Sequence, residues 1–230
     1  MAYTAAYRRA APRSVRAERR RPNLPPEPLS RRFGQDRGRP VDRVYIERFL
    51  GEHAADVRGR VLEIYEPSYT ERFGGAEVTR GDVLDASADA PRATIRGDLA
   101  TGEGLPDATF DCFICTQTLS LIQDVGTALA HARRTLAPGG VLLATVPGIS
   151  HRPVGTDDEF PDIWRFTSAG LARLADAAFG PGNAKVRVWG NVSVAAAFLY
   201  GMAEHELDPA AFDRDDPDYE LLLGLRARRA

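Results

Sequence analysis

Three features of the sequence predict a doubly wound α/β fold, with a mostly parallel seven-stranded sheet and an antiparallel last strand. Short apolar runs alternate with helix-spaced apolar residues from about residue 40 to the C-terminus. The most apolar run, Val141-Leu142-Leu143-Ala144-Thr145-Val146, shows no polar alternation, as expected of a strand covered on both faces. The last three elements read strand, helix, strand, which lets the final strand return against its neighbours. In such a sheet ligands bind at the carboxyl ends of the strands.

The elements follow in order. Pro40 suits a first helical turn, and Val41, Val44, Tyr45 and Phe49 give one apolar face through about His53. Val61 to Ile64 is a short first strand, Glu77 to Val83 a second, Ala93 to Ile95 a third and Phe110 to Cys115 a fourth. Val125, Leu129, Ala132 and Leu136 recur at helical spacing, with Pro138-Gly139-Gly140 as the stop signal and Val141 opening the fifth strand. Leu171, Leu174, Ala175 and Ala178 mark a helix with Thr167 as its N-cap. Lys185 to Trp189 is a sixth strand, an apolar helix starts at Val192, and Tyr219 to Leu225 is the seventh strand.

The chain has 230 residues, 43% apolar and 27% charged, enough for one large domain with a soluble surface. Residues 1–30 carry Arg and Pro without periodicity and read as a flexible tail; residues 31–230 read as the domain. A net charge of -2 gives no global attraction to nucleic acid, although seven arginines crowd residues 8–21 and leave a solvated tail or an RNA or phosphate contact open. No signal-peptide pattern opens the chain and no apolar run is long enough for a bilayer, so the expected location is cytoplasmic, with no membrane partner.

Cys112 and Cys115 have a C-x-x-C spacing, but on a strand residues three apart face opposite ways and the sulfurs do not converge. His53, His131 and His205 are too dispersed for a metal cluster, and no metal is expected.

Acids recur near the strand ends: Glu63 on the first strand, Asp82 on the second with Asp85 as its rival, and Gly97-Asp98-Leu99 after the third. Leu105-Pro106-Asp107-Ala108-Thr109-Phe110-Asp111 and Leu136-Ala137-Pro138-Gly139-Gly140 complete the series. This order resembles the class I S-adenosylmethionine-dependent methyltransferases, over roughly residues 38–226. A carboxylate at a strand end accepts from both ribose hydroxyls, and Asp82 is the candidate. The resemblance implies that Asp98 accepts from the adenine amine, that the Leu99 N–H donates to a ring nitrogen, and that Glu63 lies near the methionine ammonium. Thr116 and Gln117 line the same pocket.

The first loop departs from the family. Where glycines are expected after the first strand, this chain has Tyr65 and Pro67, so a Cβ stands where backbone normally approaches the ligand. Tyr65 packs over the ligand or fills part of its place. Glu66 adds negative charge there, which Arg37, Arg39 or Arg43 is positioned in sequence to offset. The segments Arg37 to Leu50 and Trp164-Arg165-Phe166-Thr167 resemble a bacterial subgroup associated with polysaccharide and secondary-metabolite settings.

His151, leaving the fifth strand in Pro147-Gly148-Ile149-Ser150-His151, is the candidate general base. Asp162, Trp164 and Arg165 follow in the next loop, where Trp164 either stacks on a flat acceptor or fills core. The expected activity is methyl transfer from S-adenosylmethionine to O or N of a small molecule, a sugar or natural-product intermediate. The alternative keeps the fold and binds cofactor or product without methylating, as a cyclase-like catalyst or structural partner. Nucleic acid is not an expected partner, and a homodimer is left open. A dehydrogenase is disfavoured because no G-x-G-x-x-G follows the first strand.

Overall fold

Helix α1 (Val41–Glu52) leads into β1 (Gly59–Ile64), and a six-residue helix α2 (Ser68–Phe73) leads into β2 (Val78–Asp85). After the two-residue β3 (Ile95–Arg96) come β4 (Phe110–Thr116), α3 (Val125–Thr135) and β5 (Leu136–Pro147). Then follow α4 (Ser168–Phe179), β6 (Ala184–Trp189), α5 (Val192–Leu199) and β7 (Leu222–Arg228). The structure is a computed structural model and describes residues 25–87, 89–153 and 161–230. The arginine-rich stretch of the expected tail, within residues 1–24, lies outside the described residues. Residues 25–30 have no regular element, but the Leu29 and Ser30 N–H groups donate to the Tyr200 carbonyl at 2.8 and 3.3 Å.

The seven strands form one sheet in the order β3-β2-β1-β4-β5-β7-β6. β7 runs antiparallel to both β5 and β6, and every other pairing is parallel. The chain winds outward from β1 to β3, then returns to place β4 on the other side of β1. The winding therefore reverses between β1 and β4, and the crevice above their carboxyl ends is the expected ligand position.

Alternation along the strands divides the core in two. Leu62, Phe113, Leu142 and Ala144 face α3 and α4, which contribute Leu129, Leu171, Ala175 and Phe179. Val61, Cys112, Ile114 and Leu143 face α1 and α5, which contribute Tyr45, Phe49, Val194 and Phe198. Each such side chain, fully buried, is worth about 1.5–3 kcal/mol of transfer free energy. Cys112 and Cys115 fall in opposite layers, and burial pushes the Cys115 thiol up to about 12, so both behave as core. Capping holds the helix starts: Asp124 Oδ1 accepts the Thr127 N–H, Thr167 Oγ1 the Gly170 N–H, and Asn191 Oδ1 the Ser193 and Val194 N–H groups.

Two boundaries differ most from the sequence expectation. Helix α3 stops at Thr135, and Leu136 already pairs with Phe110, while Val141 pairs with Cys112. Pro138-Gly139-Gly140 is therefore a bulge within β5 instead of a helix stop; at Gly140 a Cβ would come within 2.7 Å of the Phe110 carbonyl. The last strand starts at Leu222, three residues late, because Tyr219 N–H closes a turn onto the Asp216 carbonyl. It continues through Arg226 to Arg228 because those residues pair with β5.

Candidate functional site

At the tip of β1 the Glu63 carboxylate is buried and turned toward α2. Its Oε1 accepts the Tyr69 N–H at 3.1 Å, and its Oε2 accepts both the Thr70 N–H and the Thr70 hydroxyl at 2.7 Å. It thus satisfies donors that the start of a short helix leaves open. Burial raises its pKa, outweighing these hydrogen bonds, and the neighbouring Glu66 adds to the rise. Among the described residues its hydrogen bonds all go to Tyr69 and Thr70.

Beyond Glu63 the chain turns sharply. Tyr65 has φ 78°, in the left-handed region that favours glycine, and its side chain is 70% exposed at the sheet edge. Its N–H donates to the Leu84 carbonyl at 3.1 Å, which pins the residue against the end of β2. The backbone thus keeps a glycine-type turn although the residue is tyrosine. Glu66 is offset by Arg92, 3.1 Å away, and not by the upstream arginines. Arg37 pairs with Glu206, Arg39 with Glu47 and Glu204, and Arg43 donates to the Tyr69 hydroxyl at 2.8 Å.

Asp82 does not reach the carboxyl edge. It pairs with Leu62, three residues short of the end of β2, on the opposite face from Glu63. Its side chain is 0% exposed and held by Arg60 at 2.7 Å, Arg80 at 3.0 Å and the Thr94 hydroxyl at 2.9 Å. Burial would raise its pKa, but Arg60, Thr94 and Arg80 together outweigh that and lower it. Glu63 and Asp82 consequently point to opposite faces of the sheet. Asp85 is the acid at the end of β2, next to the Leu84 carbonyl that Tyr65 binds, and among the described residues only its Oδ1 is engaged, by the Ser87 N–H at 2.8 Å.

The loop after β3 is set by a close approach: a Cβ at Gly97 would come within 2.7 Å of the Glu103 carbonyl. Asp98 Oδ1 accepts the Ala100 N–H at 2.7 Å, leaving Oδ2 without a partner among the described residues. Leu99 is buried, its carbonyl is 3.0 Å from His131 Nδ1, and its N–H has no partner among the described residues. Thr116 ends β4, and Gln117 follows at φ 53° with its N–H on the Thr145 carbonyl at 2.8 Å.

Across the crevice, above β4 and β5, lies a cavity of about 200 Å³ bounded by the start of α1 and the loops after β4 and β5. Phe33, Asp42, Gln117, His151 and Arg165 are among its walls. The His151 ring stacks on Phe33, centroids 4.1 Å apart and planes 13° apart. Arg165 fixes the loop that carries the histidine: it donates to the Ser150 and His151 carbonyls at 3.2 and 2.8 Å and grips Asp162 with two bonds of 2.7 and 2.6 Å. Trp164 is neither core nor cavity wall; its ring N–H donates to the Ile122 and Gln123 carbonyls at 3.0 and 3.2 Å. Sequence reasoning missed Phe33 and Asp42, and no local signal marks either as lining this cavity.

Residues 58–144 match the model of the family described as methyltransferase domain. That stretch is thus similar to a methyltransferase domain, as the resemblance to the class I enzymes implies. A search of curated proteins finds no match. Among solved structures, an S-adenosylmethionine dependent methyltransferase from Mesorhizobium loti aligns at 16% identity over 82% of this chain and 98% of that one, TM-score 0.52. A 1,6-didemethyltoxoflavin-N1-methyltransferase from Burkholderia thailandensis aligns at 16% identity over 81% and 77%, TM-score 0.50. A further methyltransferase, from Archaeoglobus fulgidus, aligns at 11% identity over 81% and 94%, TM-score 0.50. At these identities the likeness is one of fold.

The cofactor of this class is S-adenosylmethionine, and the groups at the crevice fit most of it. The Leu99 N–H and the open oxygens of Asp98 and Asp85 are the donor and acceptors an adenosine requires. The misfit is confined to the first loop, where the Tyr65 side chain stands in place of a glycine. No helix among the described residues is long and apolar enough to cross a membrane.

Proposed function

We propose that the methyltransferase domain is catalytically active and transfers the methyl group of S-adenosylmethionine to an oxygen or nitrogen of a small molecule, a sugar or natural-product intermediate, in the cytoplasm. The observation that carries this reading is the pairing of a matched methyltransferase domain with unpartnered hydrogen-bonding groups on both sides of the β1–β4 crevice. Asp85 takes the ribose hydroxyls in place of Asp82, whose oxygens are committed to arginine. Asp98 accepts from the adenine amine and Leu99 donates to the ring. Tyr65, Thr116 and Gln117 line the nucleoside and methionine path, and Glu63 acts indirectly, by holding the start of α2 and with it the first loop.

The cofactor supplies an electrophilic methyl group whose bonding pair stays on sulfur as the acceptor's lone pair forms the new bond. His151 receives the acceptor's proton. Most of the acceleration comes from alignment and exclusion of water rather than from strong base catalysis. Calorimetry with S-adenosylmethionine and S-adenosylhomocysteine tests the proposal: heat of binding is expected for both, and silence with each at millimolar concentration would end it.

A second reading is favoured by one observation, the strained Tyr65 at a glycine position. In it the protein binds cofactor or product and does not methylate, serving as a non-methylating catalyst such as a cyclase, or as a structural partner. Tight S-adenosylhomocysteine binding, with no acceptor consumed among intermediates of its genomic neighbourhood, supports this reading; turnover of any one of them removes it.

A further inference from the structure

The cavity above β4 and β5 holds two buried polar atoms without partners among the described residues, Asp42 Oδ1 and His151 Nε2. Buried polar groups are nearly always paired, and an exception at a cavity wall calls for an explanation. The His151 tautomer can be assigned. Nδ1 lies 2.7 Å from the Arg152 carbonyl, which only accepts, so Nδ1 carries the hydrogen and Nε2 the lone pair. Asp42 sits in the first turn of α1 and lines the cavity; burial raises its pKa, and the adjacent Arg43, which donates to the Tyr69 hydroxyl, only partly offsets that. His151 Nε2 is thus an acceptor in need of a donor, and Asp42 stays in its accepting, ionised form only where a ligand brings it a donor.

The walls add shape. Phe33, His151 and Phe198 stand as a stack, with Phe33 and Phe198 centroids 5.7 Å apart and planes 22° apart. Phe33 is held at φ 58° to present its ring, and the following Gly34 allows no Cβ, since one would fall 2.7 Å from the Met202 carbonyl. Gln117, on another wall, is also left-handed at φ 53°. Strained residues of this kind collect where a ligand must be presented with a fixed surface. Charge on the walls is balanced: Arg165 is neutralised by Asp162, and Asp42 lies beside Arg43. The space of about 200 Å³ is smaller than the roughly 300–1,000 Å³ of sites for drug-sized ligands.

We propose that this cavity is the acceptor subsite and that its occupant is a small planar ring, neutral or cationic, bearing at least two hydrogen-bond donors of the hydroxyl or amine type. One donor meets His151 Nε2 and is the atom methylated; the other meets Asp42 Oδ1 and sets the ring's orientation. The aromatic stack covers the ring face. The methylated donor is where the acceptor proton passes to Nε2. An anionic ring is rejected because the lining arginines are already engaged, Arg165 by Asp162 and Arg43 by the Tyr69 hydroxyl. This assignment rests on the methyl-transfer reading for its catalytic meaning, but the binding chemistry stands by itself.

The test uses the full chain and four kinds of probe ring, read by ligand-observed NMR and calorimetry without cofactor. Dihydroxybenzenes and aminophenols are expected to bind, dimethoxybenzenes and benzoate at least tenfold more weakly. Asp42→Asn and His151→Phe are each expected to weaken the donor-bearing probes about tenfold and to leave the dimethoxy probes unchanged. Equal binding of donor-bearing and donor-free rings to the wild-type chain overturns the proposal whatever the variants do. Variant folding is checked by melting temperature, and the wild-type comparison needs no variant at all. Donor-dependent binding together with no S-adenosylhomocysteine affinity sustains the subsite and ends the methyl-transfer reading; the reverse pattern ends the subsite alone.

Discussion

The two sides of the crevice differ in how their polar groups are spent. On the nucleoside side, above β1 to β3, Glu63 and Asp82 give every oxygen to the protein itself, Glu63 to the start of α2 and Asp82 to two arginines and a threonine. On the β4–β5 side, Asp42 Oδ1 and His151 Nε2 are buried and have no partner among the described residues. An acid near a strand end is therefore not by itself a ligand group. What distinguishes the two is whether the local backbone and neighbouring cations already use its lone pairs.

Replacing Asp82 gives the largest expected effect and the sharpest test of that contrast. Asp82→Ala strands Arg60 and Arg80 beside an apolar wall where Arg60 also lies 5.1 Å over the Phe110 ring. Breaking one partner of a buried pair costs about 3–5 kcal/mol, and the partial exposure of both arginines places this one at the low end, about 3 kcal/mol. Urea denaturation measures the loss. S-adenosylhomocysteine affinity per folded molecule is expected to stay within twofold; a tenfold loss would return Asp82 to the ligand site. Asp85→Ala is the mirror experiment, with little change in stability and about a tenfold loss of affinity, or about 1.4 kcal/mol.

The fold was legible in the sequence because periodicity reports burial on each face, and all seven strands and four of the five helices announce themselves that way. Thr167 as N-cap and the opposed Cys112 and Cys115 followed from local geometry alone. The site was less legible. Asp82 and Asp85 are three residues apart, and only the register, with Leu62 opposite Asp82 and Ile64 opposite Leu84, shows which one lies at the edge. Glu63 stands at the position the family resemblance marks, but its engagement with Tyr69 and Thr70 depends on how α2 folds back. Asp42 and Phe33 come from the segment before β1 and meet His151 across more than a hundred residues, which no local pattern encodes. The helix α2 was unread because six residues give too few turns for a period to show.

Tyr65→Gly probes the first loop and is expected to have an intermediate effect. Holding a non-glycine residue in the left-handed region costs about 1–3 kcal/mol, and glycine returns roughly 0.5–1 of that through its unfolded-state entropy. A net stabilisation of about 1 kcal/mol is therefore expected by thermal or urea unfolding, because the exposed ring forfeits little packing when removed. If the ring also occupies nucleoside space, affinity for S-adenosylhomocysteine rises several-fold in the same variant. Unchanged or weaker binding would make Tyr65 a contact that the ligand uses, and the strain would then serve recognition.

The smallest effect separates the two fully engaged carboxylates by sign. Asp82 is held below the ordinary aspartate value, so its contribution to stability is present above the unfolded value of about 3.9 and lost as pH falls through the native one. Glu63 runs the other way: burial keeps it protonated in the native state at a pH where the unfolded chain, at about 4.3, has let its proton go. Its contribution is complete below that value and lost as pH rises through the native one. Glu63→Gln removes this titration while leaving an amide oxygen to accept from α2, so the variant's stability is expected to decline less than the wild type's between about pH 4 and the native value. Parallel curves for the two proteins across that range would mean that the three donors from Tyr69 and Thr70 hold Glu63 ionised, and that both carboxylates serve the framework as anions.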